Sequence, residues 1–171
     1  MPQQFDLNET HTLLGTTPVL LQTILKALPE RLTRYQPMPA DWSINEVIGH
    51  LIESERRGFA GRIRLILNEE HHVCIGWDQN QVARDRQDND KEALDLFNEF
   101  ATMRQESNLL VSTLLPAQLP RFATHPKVGT VSVQELLCEW VYHDLNHLKQ
   151  IESNISAWYW QQMGNTQRFY H

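Results

Sequence analysis

Two four-residue strings, SINE at 43–46 and SVQE at 132–135, are one helix-opening device written twice. In each, the serine can accept the amide of the third helical residue while the glutamate reaches back to the serine's own amide, satisfying two donors that a helix start leaves bare. Behind each runs a long stretch in which apolar residues return at intervals of three and four. The first, VIGHLIESERRGFAGRIRLIL, reaches about Asn68, and the second ends near Gly164. KEALDLFNEFATMRQESNLLVSTLL carries the same period from about Asp90 to Leu115, where Pro116 stops it. Earlier still, PVLLQTILKAL carries it to Leu28, with Thr17 and Pro18 reading as a cap and first turn after a break at Gly15. Glycines number only seven and β-branched alternation is scarce, so the expected fold is all-α, with four long helices.

The connections set the order of those helices. Pro29, Pro37 and Pro39 fill a short link between the first two, but residues 71–89, HHVCIGWDQNQVARDRQDN, form a long polar stretch without a clear period. A helix of about 27 residues spans roughly 40 Å, and nineteen extended residues reach roughly 60 Å. That crossover can therefore return to the starting end and launch the third helix parallel to the second. The expectation is an up-down-down-up four-helix bundle with a long crossover between helices two and three. The alternative is that part of the crossover forms a lid or a short strand.

At 171 residues the chain is most simply one domain, 1–171, large enough to bury about 70% of its unfolded surface without staples. Cys74 and Cys138 show no disulfide framework, which points to free thiols in a reducing compartment, by default the cytoplasm. No stretch approaches the roughly 18 uninterrupted apolar residues of a membrane span. A formal charge of −6, from 15 Lys and Arg against 21 Asp and Glu, argues against a nucleic-acid partner.

His143 and His147 lie four apart in EWVYHDLNHLKQI, and the residues sharing their stripe are Leu136, Trp140 and Ile151, so both imidazoles face the interior. His50 follows Val47 and precedes Leu51 and Ser54 on the apolar stripe of helix two. Each could be a core histidine satisfied by a hydrogen bond. Three together demand partners for six ring nitrogens, and one metal ion would supply three of them at once. Spacing alone leaves both readings open.

The segments WSINEVIGHLIESERR at 42–57 and HPKVGTVSVQELLCEWVYHDLNHLKQI at 125–151 resemble the two signature regions of the DinB-like superfamily, the DNA-damage-inducible and bacillithiol-transferase group of metalloenzymes. Residues 71–89 and the C-terminal tail lie outside the resemblance. It implies that three histidines from helices two and four, here His50, His143 and His147, hold a divalent metal, nickel or zinc. It also implies a thiol S-transferase that activates a low-molecular-weight thiol such as bacillithiol, or a water in the manner of a hydrolase. The alternative is a non-catalytic metal-binding bundle serving a stress response or a partner protein.

Three neutral imidazoles would leave an ion its full charge and an open position, where a water or thiol loses its proton near neutral pH. The expected partner is then a small-molecule substrate or thiol. Asp144, Glu53, Glu55 and Glu139 lie close enough along the helices to orient an imidazole, although solvating a surface is the commoner role for each. Arg57 and Arg62 could bind an acidic cosubstrate, or form helix-face ion pairs. His125, seven residues before helix four, is not expected to be a ligand. HHVC at 71–74 is a weak metal motif, and Cys138, well round the helix from His143, reads as a packing residue. The aromatic run AWYWQQM at 157–163 is expected to pack against helix one or a second subunit, which makes a homodimer possible.

Overall fold

The computed structural model describes residues 4–170. Its first rod is α1 (Leu7–Ala27), followed by a single turn, α2 (Glu30–Thr33). The second rod is α3 (Ile44–Glu53), a π-helical turn Ser54–Gly58 and α4 (Ala60–Asn68). After α5 (Gln79–Arg86) in the crossover come the third rod, α6 (Ala93–Ser112), a hairpin of β1 (Phe122–His125) and β2 (Gly129–Ser132), and the fourth rod, α7 (Val133–Trp160). Both predicted capping boxes form: Ser43 with Glu46, and Ser132 with Glu135. Among the described residues no helix is long and apolar enough to cross a membrane.

Cross-rod contacts give the directions. Asn45 Nδ2 donates to Lys91 O (2.9 Å) just before α6 begins, and further along Arg104 Nε donates to Glu55 Oε1 (2.7 Å), so the second and third rods run parallel. Trp140 of α7 stacks on Phe59 while Asn154 Nδ2 reaches back to Trp42 O (2.7 Å), so the fourth rod is antiparallel to the second. Thr17 meets Asp144, and Tyr35 beyond the end of α1 meets Trp158 edge-on at 5.0 Å, so the first and fourth are parallel. The result is the up-down-down-up order. The aromatic run thus folds onto the link after α1, and Trp160 also meets Tyr170 in the tail, at 6.0 Å between ring centroids.

The first helix starts eleven residues earlier than Thr17 and Pro18 suggest. Asp6 caps it, accepting the amides of Asn8 and Glu9 at 2.7 and 3.2 Å, and Gly15 and Pro18 lie inside. A mid-helix proline deprives the carbonyl four residues back of its donor. That carbonyl, on Leu14, receives Arg104 Nη1 instead, at 2.8 Å. Thr17, far from capping, donates its hydroxyl to Asp144 Oδ2 (2.8 Å).

In the second rod the amide of Phe59 bonds Ser54 O at 2.8 Å, five residues back, which adds a residue to the turn and shifts the faces beyond it. A β-carbon on Gly61 would collide with the carbonyl of Arg56. The turn therefore depends on that glycine.

The crossover is bolted down. Cys74 N donates to Thr124 O (2.8 Å), Val73 bridges Thr124, and the eight-residue α5 leads to Arg86, which reaches Glu53 Oε1 (2.8 Å) and Asp88 Oδ2 (2.6 Å). Lys91 Nζ holds the other oxygen of Asp88 (2.7 Å). A β-carbon on Gly49 would strike this buried carboxylate. The core falls into two apolar clusters, one around Leu14, Phe59, Val111 and Trp140 and the other around Leu21, Ile48, Phe100 and Ile151. The intervening positions on the rods carry Thr17, Glu55, Arg104 and Asp144, all buried.

Gly49→Ala should expel Asp88, cost about 1 to 3 kcal/mol in urea unfolding, and speed amide exchange across residues 78–90; unchanged exchange there would show that the segment is not held by this contact. Arg104→Met leaves two buried carboxylates without their cation and should cost about 3 to 5 kcal/mol. Arg34→Ala, which removes exposed ion pairs to Glu30 and Glu92, should cost no more than about 1 kcal/mol in the same assay.

Candidate metal centre

His50 stands near the end of α3, and His143 and His147, one turn apart on α7, face it across the antiparallel rods. The structure brings all three together. Each offers a ring nitrogen, and the three nitrogens lie within 4.8 Å of one another. His50 Nε2 and His143 Nε2 are 3.0 Å apart, with Ser54 Oγ at 3.4 and 3.5 Å from them. His147 Nδ1 is 2.9 Å from Gln150 Oε1; since that oxygen can only accept, Nδ1 carries the hydrogen and the lone pair is left on Nε2.

Burial pushes the His50 pKa down to about 3, with mutual repulsion from His147 and His143 adding to it. Burial and His143 lower His147 to about 4, against smaller opposing effects from Gln150 and Asp144. Both rings are thus neutral at physiological pH, the form that ligates metals. Apart from each other and Ser54, the converging nitrogens of His50 and His143 meet no hydrogen-bonding side chain among the described residues. The donor set suits a borderline-soft divalent cation, for which imidazole is a common ligand.

The carboxylates adjacent in sequence mostly turn elsewhere. Glu53 is paired with Arg56, Arg57 and Arg86. Glu55 and Asp144 are paired with Arg104. Asp144 Oδ1 is 3.9 Å from His143 Nδ1, beyond hydrogen-bond reach. Glu139 alone of the four lines the cleft that leads to the histidines. Arg57 takes the helix-face ion pair with Glu53 and also lies over the Trp77 ring at 5.4 Å, whereas Arg62 lines the cleft.

Other sequence candidates separate cleanly. In HHVC, His71 is exposed, His72 pairs with Glu69 and Cys74 is buried, so they gather no ligand group. Cys138 is exposed rather than packed, because the core-facing stripe of α7 passes through Leu136, Leu137 and Trp140 to either side of it. The residues that sequence reasoning missed are aromatic or neutral. Trp42 (ring centroids 5.0 Å) and Trp77 (5.7 Å, nearly parallel) cover His50, and Gln150 orients His147. Gln150 had a signal, its place three residues after His147; Trp77 had none, since it arrives on the crossover.

The cleft holds about 320 Å³, near the lower end for small-molecule sites. His50, His143, Phe59, Trp77, Val131 and Leu136 form one part of its wall, and Arg62, His125, Lys127 and Glu139 give it polar groups.

Comparison with known proteins agrees with this architecture. A family model described as the DinB superfamily matches residues 13–151. A protein of Oceanobacillus iheyensis, named as a candidate metal-dependent hydrolase, is 27% identical over 112 residues, which is 66% of this chain and 64% of that protein. The chain thus matches just under two thirds of that relative's length. YfiT from Bacillus subtilis, described as a probable metal-dependent hydrolase with an unusual four-helix bundle topology, superposes with a TM-score of 0.81 at 17% identity, covering 96% of this chain and 93% of the other. At that identity the likeness speaks for the fold.

Gln150→Ala should weaken metal affinity about 10- to 100-fold by releasing the His147 ring. His125→Ala should leave the metal content of the purified protein at the wild-type level by elemental analysis, and its loss would add His125 to the ligand set.

Proposed function

The chain belongs to the DinB superfamily, and from that premise we propose that His50, His143 and His147 hold one divalent ion, nickel or zinc, in a metal-dependent enzyme. The reaction is attack by a low-molecular-weight thiol, or by water, on a small electrophile seated in the adjoining cleft. The convergence of three imidazole nitrogens within 4.8 Å, two of their rings held neutral by burial, carries this reading. When bound, such an ion lowers the pKa of a thiol or water that reaches it and offsets charge building on the group under attack.

The protein's own groups do the rest. Gln150 sets the tautomer of His147. Trp42 and Trp77 shield His50 from water on one side, while Phe59, edge-on to His143 at 5.0 Å, lines the other. Glu139, on the cleft wall, is free to take a proton from the nucleophile or return one to the leaving group. No other Cys, Asp, Glu or His among the described residues joins the cluster, and the cleft reaches it, which supports a reacting site over a closed binding site. The apolar part of the lining, Phe59, Trp77, Val131 and Leu136 beside the histidines, supports a soft, weakly hydrated thiol. The descriptions of the two relatives as metal-dependent hydrolases support water in the same role.

His147→Ala tests the ligand set. The variant should fold yet retain little metal, and added nickel or zinc should raise the melting temperature of the wild type far more than that of the variant. Equal metal content and equal shifts would overturn the three-histidine site. They would instead mark His147 as a hydrogen-bonded core residue whose loss costs roughly 1 to 3 kcal/mol.

A further inference from the structure

Arg62 is out of keeping with its neighbours on the second rod. Arg56 and Arg57 are both ion-paired with Glu53, and Arg56 also reaches Glu99. Arg62 makes no ion pair among the described residues, and its Nε is buried without a hydrogen-bond partner. Among the described residues its one polar contact is Nη2 to His125 Nε2, at 3.4 Å on the cleft wall.

That contact does not satisfy either residue. His125 Nδ1 accepts the backbone amide of Lys127 at 3.2 Å, so the hydrogen of the neutral ring sits on Nε2. Arg62 Nη2 is also a donor. In that tautomer two N–H donors stand 3.4 Å apart with no protein acceptor between them. Burial and the Arg62 charge beside it lower the His125 pKa, against an opposing pull from Glu139, which keeps the ring in this form. The Lys127 ammonium borders the same cleft, and Glu139, the one carboxylate on its wall among the described residues, bonds to neither Arg62 nor His125. One oxygen of a planar or tetrahedral oxyanion would accept from both donors, and the guanidinium fork suits such a group.

We propose that Arg62 and His125, with Lys127 adding charge, form an oxyanion subsite of the cleft, so that the molecule acted on at the three histidines carries a carboxylate or phosphate group. The subsite lies some three helical turns along the second rod from His50. A small molecule held there by its anionic end can present its other end to the histidines. The assignment of the histidines as the reacting end rests on the function proposed above; the subsite itself does not.

The test is calorimetric titration of the metal-loaded full-length protein with succinate and, separately, with inorganic phosphate. At least one should bind, and Arg62→Met and His125→Phe should each weaken that binding at least about tenfold, the scale of one charge-assisted hydrogen bond. Loss of succinate binding identifies a carboxylate, and loss of phosphate binding a phosphate. His125→Phe keeps an aromatic ring at a partly exposed position and removes its nitrogens, so it carries the test should Arg62→Met fail to fold by circular dichroism. His147→Ala should bind the anion as the wild type does, whatever its metal content, which separates this result from that of the metal experiment. The subsite is overturned if the wild type binds neither anion, or if Arg62→Met and His125→Phe bind as the wild type does. It is equally overturned if affinity falls only in His147→Ala, because the anion would then sit at the ion.

Discussion

A single buried guanidinium ties the four rods together. Arg104, 1% exposed, donates from α6 to Glu55 in the second rod, to Asp144 in the fourth and to the Leu14 carbonyl in the first. Burial alone would lower its pKa, but Asp144 and Glu55 more than offset that and hold it charged. Burial lifts Glu55 above the usual carboxylate range despite Arg104, whereas at Asp144 the guanidinium outweighs burial and holds the acid below it. Removing two or three charges from water is costly unless the geometry is met almost in full. Its directional bonds to three other rods constrain their register, a constraint that the non-directional contacts of the two apolar clusters do not impose.

The histidine cluster inherits its position from that layer. Asp144 follows His143 directly, so the bond from Arg104 to Asp144 also sets the rotation of α7 that turns His143 and His147 toward His50. On the second rod the π turn begins at Ser54, one turn beyond His50, and carries Glu55 to Arg104 while placing Phe59 against Trp140. π turns recur at functional sites because the added residue re-aims side chains without breaking the rod. Here it lets one helix serve the buried ionic layer, the imidazole cluster and the wall of the cleft.

The crossover has a different role. Its length is what parallel rods demand, and its substance is a clamp: Arg86, Asp88 and Lys91 fix its end over Gly49, and Trp77 comes to rest on His50. Its polar composition hid this. Arg86, Asp88 and Lys91 are neighbours, but the ion pair that ties them to the second rod joins Arg86 to Glu53, and no short window of sequence contains both.

Local chemistry was legible wherever partners are neighbours in the chain. The capping boxes at Ser43 and Ser132, the inward stripe through Trp140, His143, His147 and Ile151, and the length of the 71–89 stretch each follow from interactions within a few residues or from chain reach. Where a local signal was answered from afar, it misled. Pro18 reads as a helix start until Arg104 takes up the Leu14 carbonyl, and Glu55 sits near His50 in sequence while its partner is Arg104 of the third rod; Glu53 is held both by its neighbours Arg56 and Arg57 and by Arg86 of the crossover. So the sequence by itself determined the four long rods, the caps of the second and fourth, the order of the rods and which imidazoles face inward, because helix periodicity and end-capping are short-range. Only the tertiary structure decided what surrounds those imidazoles: which carboxylates are spent on arginines, which tryptophans cover His50, and that Arg62 and His125 are left as two donors facing one space. Those outcomes depend on the packing of rods whose contacts span most of the chain.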